Sequence, residues 1–589
     1  MRRLPLAVGG AVLSAVMLVA VLAPPPALTS SATLPDMAVA PASTAASCTG
    51  WTSTYVPPPS ITVGMVQSGN VSSVVQVPFM TYVETVLAAE WPNYGSEYLQ
   101  IGALAVKQYG WYYTIHGRVD HSFMGQCFDV RSDTYDQLYN PKQPVLQADK
   151  DAVAATWQIS LRKAGVFFLP HYNSKNVNGT GTTCGTGGTS TGTFLPQDAV
   201  KDCLLRQGMS RDAVLHLYFD PPKPPLSIDD LVNLAGGDRY ATAVAISAWH
   251  FKPGVAAVVV ASGANFPDAL AGGPLAARLG GPILLLPPGD DIPVGVAAEL
   301  TRLAPAQIIV LGGEGVISPA QFGALAAFVP DQDATKVLRL AGPTRYDTAI
   351  AVSQFAFPTL PGTPPVPPAV PIVFLADGAL FPDAMAGASA GARLGGPVLM
   401  ADPTKSLADQ PALVAELQRL QPAAIRVLGG PSVVSDSFLQ DLQQALPPLA
   451  PDIARIAGPD RYATAAALAA ATYTAGEPFL FLASGLNFPD GLAGAALGGP
   501  ILFLPTAAPV SFAVLYEIGQ LAGQQLVLLG GNGAVGDSSV AAAGYAFEFP
   551  PTPSPSPSPS PSPSPSPSPS PSPSPSPSPS LSPSASTGP

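Results

Sequence analysis

Charge is what this chain has least of. Charged side chains make up 11% of its 589 residues, against about 25% in an ordinary soluble domain. Those present sum to −12, and no stretch gathers Lys and Arg into a stripe. A nucleic-acid partner, which needs cations to displace the counterions of phosphate, is therefore not expected. Cysteine is equally sparse: Cys48, Cys127, Cys184 and Cys203 all precede residue 204, so everything beyond must hold by core burial alone. Past the first two dozen residues no apolar run reaches spanning length, which excludes a bundle of membrane helices.

What is present begins with Arg2 and Arg3, the apolar stretch Leu4–Ala23, and then Pro24, Pro25 and Pro26 ahead of a small-residue region. That is the layout of an export signal over residues 1–32, with Ala32 and Ala40 as candidate cleavage positions. An uncleaved anchor is the weaker reading, because Gly9 and Gly10 interrupt the stretch. Export places the cysteines in an oxidising compartment, where two disulfides with three alternative pairings are expected. Residues 33–72 read as a linker. From about residue 550 to 589 the chain alternates Pro and Ser, a disordered segment that cannot bury a core. In polyproline-II form its roughly 35 residues would reach ~100 Å. No apolar anchor follows it, so no stable membrane attachment is expected after signal cleavage.

Pro221-Pro222-Lys223-Pro224-Pro225 marks a boundary, and beyond it three signatures recur in the same order. Arg239-Tyr240-Ala241-Thr242 returns as Arg345-Tyr346-Asp347-Thr348 and Arg461-Tyr462-Ala463-Thr464. Phe266-Pro267-Asp268 returns as Phe381-Pro382-Asp383 and Phe488-Pro489-Asp490. Leu311-Gly312-Gly313 returns as Leu428-Gly429-Gly430 and Leu529-Gly530-Gly531. The three copies are set at 228–335, 336–450 and 451–545. Within a copy, continuous apolar strands alternate with helices. In the first, Val255–Ala261 is a strand, Phe-Pro-Asp opens a helix that Gly280 closes, and Pro282–Leu286 and Ile308–Leu311 are further strands. This pattern predicts a Rossmann-like α/β unit with a parallel sheet covered on both faces. The third copy is shorter: Asp490 to Gly498 is 8 positions where the others have 12, a loss close to one helical turn. It also lacks the arginine found at Arg278 and Arg393.

These signatures resemble the cell-wall-binding repeat type 2 family. The resemblance implies a pseudo-threefold unit of three copies that holds an exported protein non-covalently on an anionic secondary cell-wall polymer. It also implies an anchoring role for the motif Pro282-Ile283-Leu284-Leu285, which becomes Pro397-Val398-Leu399-Met400 and Pro500-Ile501-Leu502-Phe503 in the other copies. On pattern alone these runs are buried strands first, and each recurring Arg and Asp can pair with the other. Leu-Gly-Gly lacks the spacing of a nucleotide-phosphate loop. Local cations or a bridging metal ion would have to offset the acidic net charge.

Residues 73–220 form a separate α+β domain. Val77–Glu90 reads as a helix in which Val83, Val86, Leu87 and Glu90 share one face, ended by Trp91-Pro92. A carboxylate on an apolar stripe at the negative end of a helix dipole should have a raised pKa, which suits a general acid. A solvated helical Glu is the bland alternative. The runs Ala89-Glu90-Trp91-Pro92, Cys127-Phe128-Asp129-Val130, Asp136-Gln137-Leu138-Tyr139 and Gln197-Asp198-Ala199 resemble the SpoIID/LytB family (stage II sporulation protein D and relatives).

That resemblance implies a peptidoglycan lytic transglycosylase with Glu90 as catalytic acid. Glu90 would protonate the leaving oxygen, and the sugar's own C6 hydroxyl would close a 1,6-anhydro ring, so one carboxylate serves where ordinary glycosidases use two. Lys107, Tyr109, Tyr172 and Ser174 are the candidate sugar contacts, with a structural role the equal alternative for each. Gln100 stands where the family usually has lysine, and the third position of its His-x5-Cys-x5-Cys zinc pattern, after His121 and Cys127, is Asp133. No metal or other cofactor is expected. The overall expectation is a secreted, wall-anchored glycan-cleaving enzyme acting on peptidoglycan strands. The alternative is a non-catalytic surface protein whose first domain only binds glycan.

Overall fold

The computed structural model describes residues 48–552 apart from 119, 164–165, 175–180, 189–191, 221–225, 266, 359–369, 447–450 and 532. The expected export signal, the Pro221–Pro225 boundary and the Pro-Ser run lie outside the described residues. Among the described residues no helix is long and apolar enough to cross a membrane.

The first domain opens with an antiparallel hairpin of β1 (Ser60–Gln67) and β2 (Asn70–Pro78), turned by Ser68 and Gly69, both at positive φ. Such a two-residue turn matches the twist of the strands it joins. Folded structure therefore begins upstream of residue 73, within the segment read as linker. It reaches further still: Cys48 is disulfide-bonded to Cys127, and the Trp111 indole N–H donates to the Ser53 carbonyl at 2.8 Å. Pro78 ends β2 and precedes α1 (Phe79–Glu90), so the helix begins two residues later than the sequence pattern suggests. Val83, Val86 and Leu87 are all fully buried, as their shared face requires. They pack against α2 (Ser96–Ile115), the central helix of the domain, whose residues from Ile101 to Trp111 are buried without a break. A short β3 (Val130–Arg131) joins β1 in parallel. There follow α3 (Gln147–Thr156), β4 (Ile159–Lys163), β5 (Val166–Phe167), β6 (His171–Asn173), β7 (Phe194–Pro196), α4 (Gln197–Leu205) and α5 (Arg211–Phe219). Cys184 and Cys203 form the second disulfide.

The repeats form three sheets of one design. The first copy has β8 (Leu226–Leu234), α6 (Arg239–His250), β9 (Ala257–Ser262), α7 (Pro267–Leu270), α8 (Gly272–Leu279), β10 (Ile283–Leu286), α9 (Val294–Leu303) and β11 (Gln307–Leu311). The second copy has β12 (Val337–Leu340), α10 (Arg345–Ala356), β13 (Val370–Asp377), α11 (Phe381–Leu394), β14 (Val398–Ala401), α12 (Pro411–Leu420) and β15 (Pro422–Leu428). The third has β16 (Asp452–Ile456), α13 (Arg461–Thr472), β17 (Phe479–Ser484), α14 (Pro489–Gly494), β18 (Ile501–Leu504), α15 (Phe512–Leu521), β19 (Gln525–Leu529) and α16 (Asp537–Glu548). The parallel α/β organisation expected from the apolar strands is present in all three.

The fourth strand of each sheet comes from a neighbouring copy. The orders are β10-β9-β11-β12, β14-β13-β15-β16 and β18-β17-β19-β8. β12 and β16 open the second and third copies yet complete the sheets of the first and second. The ring closes through β8, which opens the first copy but pairs in parallel with β19 of the third over Leu231–Leu234. The N–H groups of Gly312, Gly429 and Gly530 donate to the carbonyls of Leu340, Ile456 and Leu234, each at 2.9 Å. The helices that Phe-Pro-Asp opens meet at the centre. A Cβ on Gly273 would lie 3.0 Å from that of Ala388 and 3.1 Å from that of Ala495, and these three residues occupy equivalent positions in the copies. This is the pseudo-threefold axis.

The third copy is shorter where the sequence says so, α14 being followed by the single 3-10 turn Ala495–Leu497. At the other two junctions an arginine reaches across: Arg278 over the Phe357 ring and Arg393 to the Glu477 carboxylate at 2.9 Å. At the third junction Trp249 of α6 packs instead on Phe479 and Phe481, with centroids 4.8 and 6.4 Å apart. An aromatic contact thus stands in for the absent turn and arginine.

β8 has a second role. Its first residues, Leu226–Asp230, pair antiparallel with β4 of the first domain, so one strand runs through both halves of the molecule. Beside it, Asp537 of α16 accepts from the Ser53 hydroxyl at 3.3 Å and from the N–H of Thr54.

Candidate functional site

Glu90 ends α1, and three separate stretches of chain converge on it. The Leu138 N–H donates to its Oε1 at 2.6 Å, and the Tyr172 hydroxyl of β6 donates to its Oε2. The Gln197 amide, at the start of α4, donates to its main-chain carbonyl at 3.1 Å. Tyr172 is itself held by the Gln137 amide at 2.9 Å, and Gln137 is oriented by the Tyr82 hydroxyl at 2.7 Å and the Val106 carbonyl at 3.1 Å. Burial pushes the Glu90 carboxyl above the ordinary carboxylate range, against the hydrogen bonds from Tyr172 and Leu138, which favour the ionised form. Burial and the nearby Glu90 also raise the Tyr172 phenol well above its usual value, so it stays protonated as the donor.

The segment that presents Leu138 is pinned by Asp136. Its carboxylate accepts from Arg118 Nη1 at 2.5 Å, the Arg131 N–H at 2.7 Å, His121 Nε2 at 3.0 Å and the Tyr109 hydroxyl at 3.1 Å. Burial opposes its ionisation, but these donors hold Asp136 below the usual carboxylate range. Sequence reasoning singled out the run 136–139 but not this role. A main-chain donor such as Leu138 N–H leaves no mark in a sequence.

The expected sugar contacts divide. Tyr172 and Ser174 lie on the Glu90 side: Ser174 is exposed, and its carbonyl accepts from the Asp198 N–H at 3.1 Å. Lys107 is corrected. It is 1% exposed, and its ammonium donates to the carbonyls of Thr156, Trp157 and Ile159 at the end of α3. A buried ammonium is tolerable only with such partners, and no face remains for a sugar. Tyr109 is likewise buried and spends its hydroxyl on Asp136. The zinc-pattern positions do not converge: Cys127 is in a disulfide, Asp133 pairs with Arg131 at 2.7 Å, and His121 lies between Asp120 and Asp136. Gln100 accepts from Arg211 Nη1 at 3.1 Å.

In the ring, the recurring signatures assemble at each junction between copies. Asp238, Thr344 and Asp460 cap the helices that carry Arg-Tyr, satisfying exposed helix N–H groups. Arg239, Arg345 and Arg461 donate to the carbonyls of Gly263, Gly378 and Gly485 at 2.6, 2.9 and 2.7 Å. The Asp of Phe-Pro-Asp then faces the Arg of the next copy. Asp268 meets Thr348 and Arg345, Asp383 meets Arg461, and Asp490 meets Thr242 and Arg239. Burial raises all three carboxyls, Asp383 to about 6, with the arginines opposing. Each Asp thus lies in the field of the next copy's Arg, around the ring and not within a copy, while the guanidinium itself bonds to the Gly carbonyl. The first glycine of Leu-Gly-Gly is explained by the same carboxylate. Gly312, Gly429 and Gly530 sit at φ of 97, 95 and 101°, and a Cβ on any of them would strike the Asp.

The presumed anchoring motif is interior. Pro282, Ile283, Leu284 and Leu285, Pro397, Val398, Leu399 and Met400, and Pro500, Ile501, Leu502 and Phe503 are all buried. β10, β14 and β18 are the outer strands of their sheets but are covered on both faces. Direct contact of these side chains with a polymer is excluded in this fold; they shape the sheet that carries the junctions.

Comparison with known proteins fits this architecture. Residues 233–321, 339–439 and 455–540 each match the family described as Cell wall binding domain 2 (CWB2). The amidase LytC of Bacillus subtilis (strain 168), an N-acetylmuramoyl-L-alanine amidase, is 26% identical over 275 residues, covering 46% of this chain and 49% of its own. Among solved structures, Cwp6 from Clostridium difficile aligns with a TM-score of 0.48 at 23% identity over 55% of this chain and 49% of its own. Cwp8 from the same organism aligns at 0.45 and 24%, over 54% and 51%. The chain thus spans about half the length of each of these relatives. None of these comparisons extends a SpoIID/LytB assignment to the first domain. Each of the three copies in the carboxy-terminal ring matches the cell wall binding domain 2 family.

Proposed function

We propose that this is a cell-surface protein held non-covalently on anionic wall polymers by its three repeats, with a first domain that engages peptidoglycan glycan around Glu90. The triple family match carries the reading. Arg239 and Arg345 are exposed and Arg461 partly so, all near the carboxyl ends of parallel strands, where such sheets bind ligands. They supply local cations on a chain of net charge −12. The expected result is that the full chain sediments with wall sacculi and is released once acidic polymers are stripped. Unchanged sedimentation after stripping refutes the polymer assignment.

A second reading, lytic transglycosylase activity, is favoured by the raised carboxyl of Glu90 and its fixed orientation. The reaction protonates the glycosidic oxygen from Glu90, and the carboxylate then accepts the C6 hydroxyl proton as the anhydro ring closes. The Tyr172 and Leu138 donors favour the ionised state that exists between the two transfers. The test is mass spectrometry of glycan strands incubated with the full chain, since β4 and β8 tie the domains together. Anhydro-muramyl products lost in Glu90→Gln support it; no product from the wild type leaves the glycan-binding reading alone.

A further inference from the structure

A line of aromatic rings leads from Glu90 to the surface. Tyr172, bonded to Glu90, meets Trp91 at 5.5 Å between centroids; Trp91 meets Tyr98 at 5.1 Å; Tyr98 meets Tyr94 at 5.3 Å. Trp91 and Tyr98 are buried, whereas Tyr94 is 39% exposed. Over its ring, 3.6 Å from the centroid, lies the ammonium of Lys201. Lys201 is one turn along α4 from Gln197, which grips the Glu90 carbonyl. Tyr94 is four residues beyond Glu90 in the loop before α2. Both are therefore fixed to the same frame as the carboxylate. Asp198 lies on the same helix, yet no carboxylate among the described residues pairs with Lys201 within salt-bridge distance. Arg211, the neighbouring cation, is already paired with Asp212 at 2.6 Å.

An exposed tyrosine braced by buried rings, with an ammonium over one face that no described carboxylate neutralises, has two affinities. The exposed part of the ring takes the apolar face of a pyranose, and the ammonium takes an anion. We infer that Tyr94 and Lys201 form a subsite on the same frame as Glu90 for a sugar bearing a carboxylate, the lactyl carboxylate of muramic acid in a glycan strand. This rests on the glycan-engaging reading and names the part of the strand that is recognised. Tyr94 supplies affinity for any pyranose, and Lys201 supplies the discrimination.

The test uses the full chain and soluble glycan strands freed of stem peptides and wall polymer, so that lactyl carboxylates are open. The same strands with carboxylates amidated are the second probe. The wild type should bind carboxylated strands up to about fivefold more tightly than amidated ones, the upper end for a solvent-accessible ion pair. Lys201→Gln should abolish that ratio, and Tyr94→Ala should weaken both probes. Sedimentation of each variant with sacculi through the repeats checks that it is folded. Equal wild-type binding of the two probes, or a ratio that survives Lys201→Gln, overturns the subsite and leaves glycan engagement standing. Wild-type binding to neither probe overturns both.

Discussion

The three copies allow one substitution to have opposite signs at equivalent positions. In the first copy Glu299 is buried but accepts from Ser247 at 2.5 Å and from Arg302 at 2.7 Å; in the second, Glu416 does the same with Ser353 and Arg419 at 2.5 and 2.6 Å. The third copy keeps the carboxylate as Glu517 but has Ala469 and Gln520 in place of its partners. Glu517 is 7% exposed, and burial raises its carboxyl from 4.5 to about 7. The sign follows from linkage. A carboxyl whose folded pKa lies above its unfolded one contributes its full stability below the unfolded value, about pH 4.5, and loses it as pH rises through about 7. At roughly 1.4 kcal/mol per pKa unit, the ionised group costs about 3 kcal/mol well above pH 7. Glu517→Gln should therefore stabilise the ring by up to about 3 kcal/mol at pH 8.5, and by much less at pH 5. Glu416→Gln should destabilise it by about 1–3 kcal/mol, because Arg419 loses its charged partner. Thermal or urea unfolding of each variant at the two pH values measures this. A Glu517→Gln protein no more stable than wild type at pH 8.5, or equally shifted at both pH values, would refute the reasoning.

Trp249→Ala should cost about 3 kcal/mol by removing the aromatic contact that closes the third junction, read as a lower unfolding midpoint of the repeats. Gly273→Leu should cost more than Gly295→Leu, since Gly273 sits at the axis against Ala388 and Ala495 while Gly295 has open space around it; unfolding midpoints compare them. Tyr172→Phe removes a donor that favours the Glu90 carboxylate and should raise that carboxyl further, seen as an upward shift of its titration by carbon-detected NMR. Cys48→Ser with Cys127→Ser opens a loop spanning 79 residues, worth about 4 kcal/mol of unfolded-state entropy, and should lower the denaturation midpoint of the first domain.

The ring was legible because its signatures are structural and occur three times. Arg-Tyr-x-Thr, Phe-Pro-Asp and Leu-Gly-Gly each name one part of a junction, and repetition separates them from background. Their pairing partners were legible only as residue types. That Asp268 meets Arg345 and not Arg239 depends on strand exchange, which leaves no local pattern: nothing in the short mixed runs of β12, β16 and β8 says which sheet they join. Around Glu90, the helix face and the raised carboxyl followed from periodicity and burial. Lys107 reads from the sequence as a sugar contact or a structural residue, and three carbonyls at the end of α3 decide for the structural role. The Pro-Ile-Leu-Leu runs show the converse. Their importance to anchoring, implied by resemblance, is compatible with complete burial only if they act through the sheet.

β8 decides how the two halves work together. Leu226–Asp230 complete the sheet that contains β4, and Leu231–Leu234 complete that of the third copy. Neither half can lose this strand without exposing an unpaired sheet edge and the buried side chains of Leu226 and Leu231. The connection is a ladder of main-chain hydrogen bonds, reinforced where Ser53 and Thr54 donate to Asp537. A domain on a flexible tether samples all orientations within its reach, and its effective concentration falls as the tether lengthens. A domain built into the repeats' own sheet is instead held at one fixed attitude to them. Whatever Glu90 engages is then met at that attitude, so the sheet of the third copy, which β8 completes, sets the geometry of the first domain as well as closing the ring.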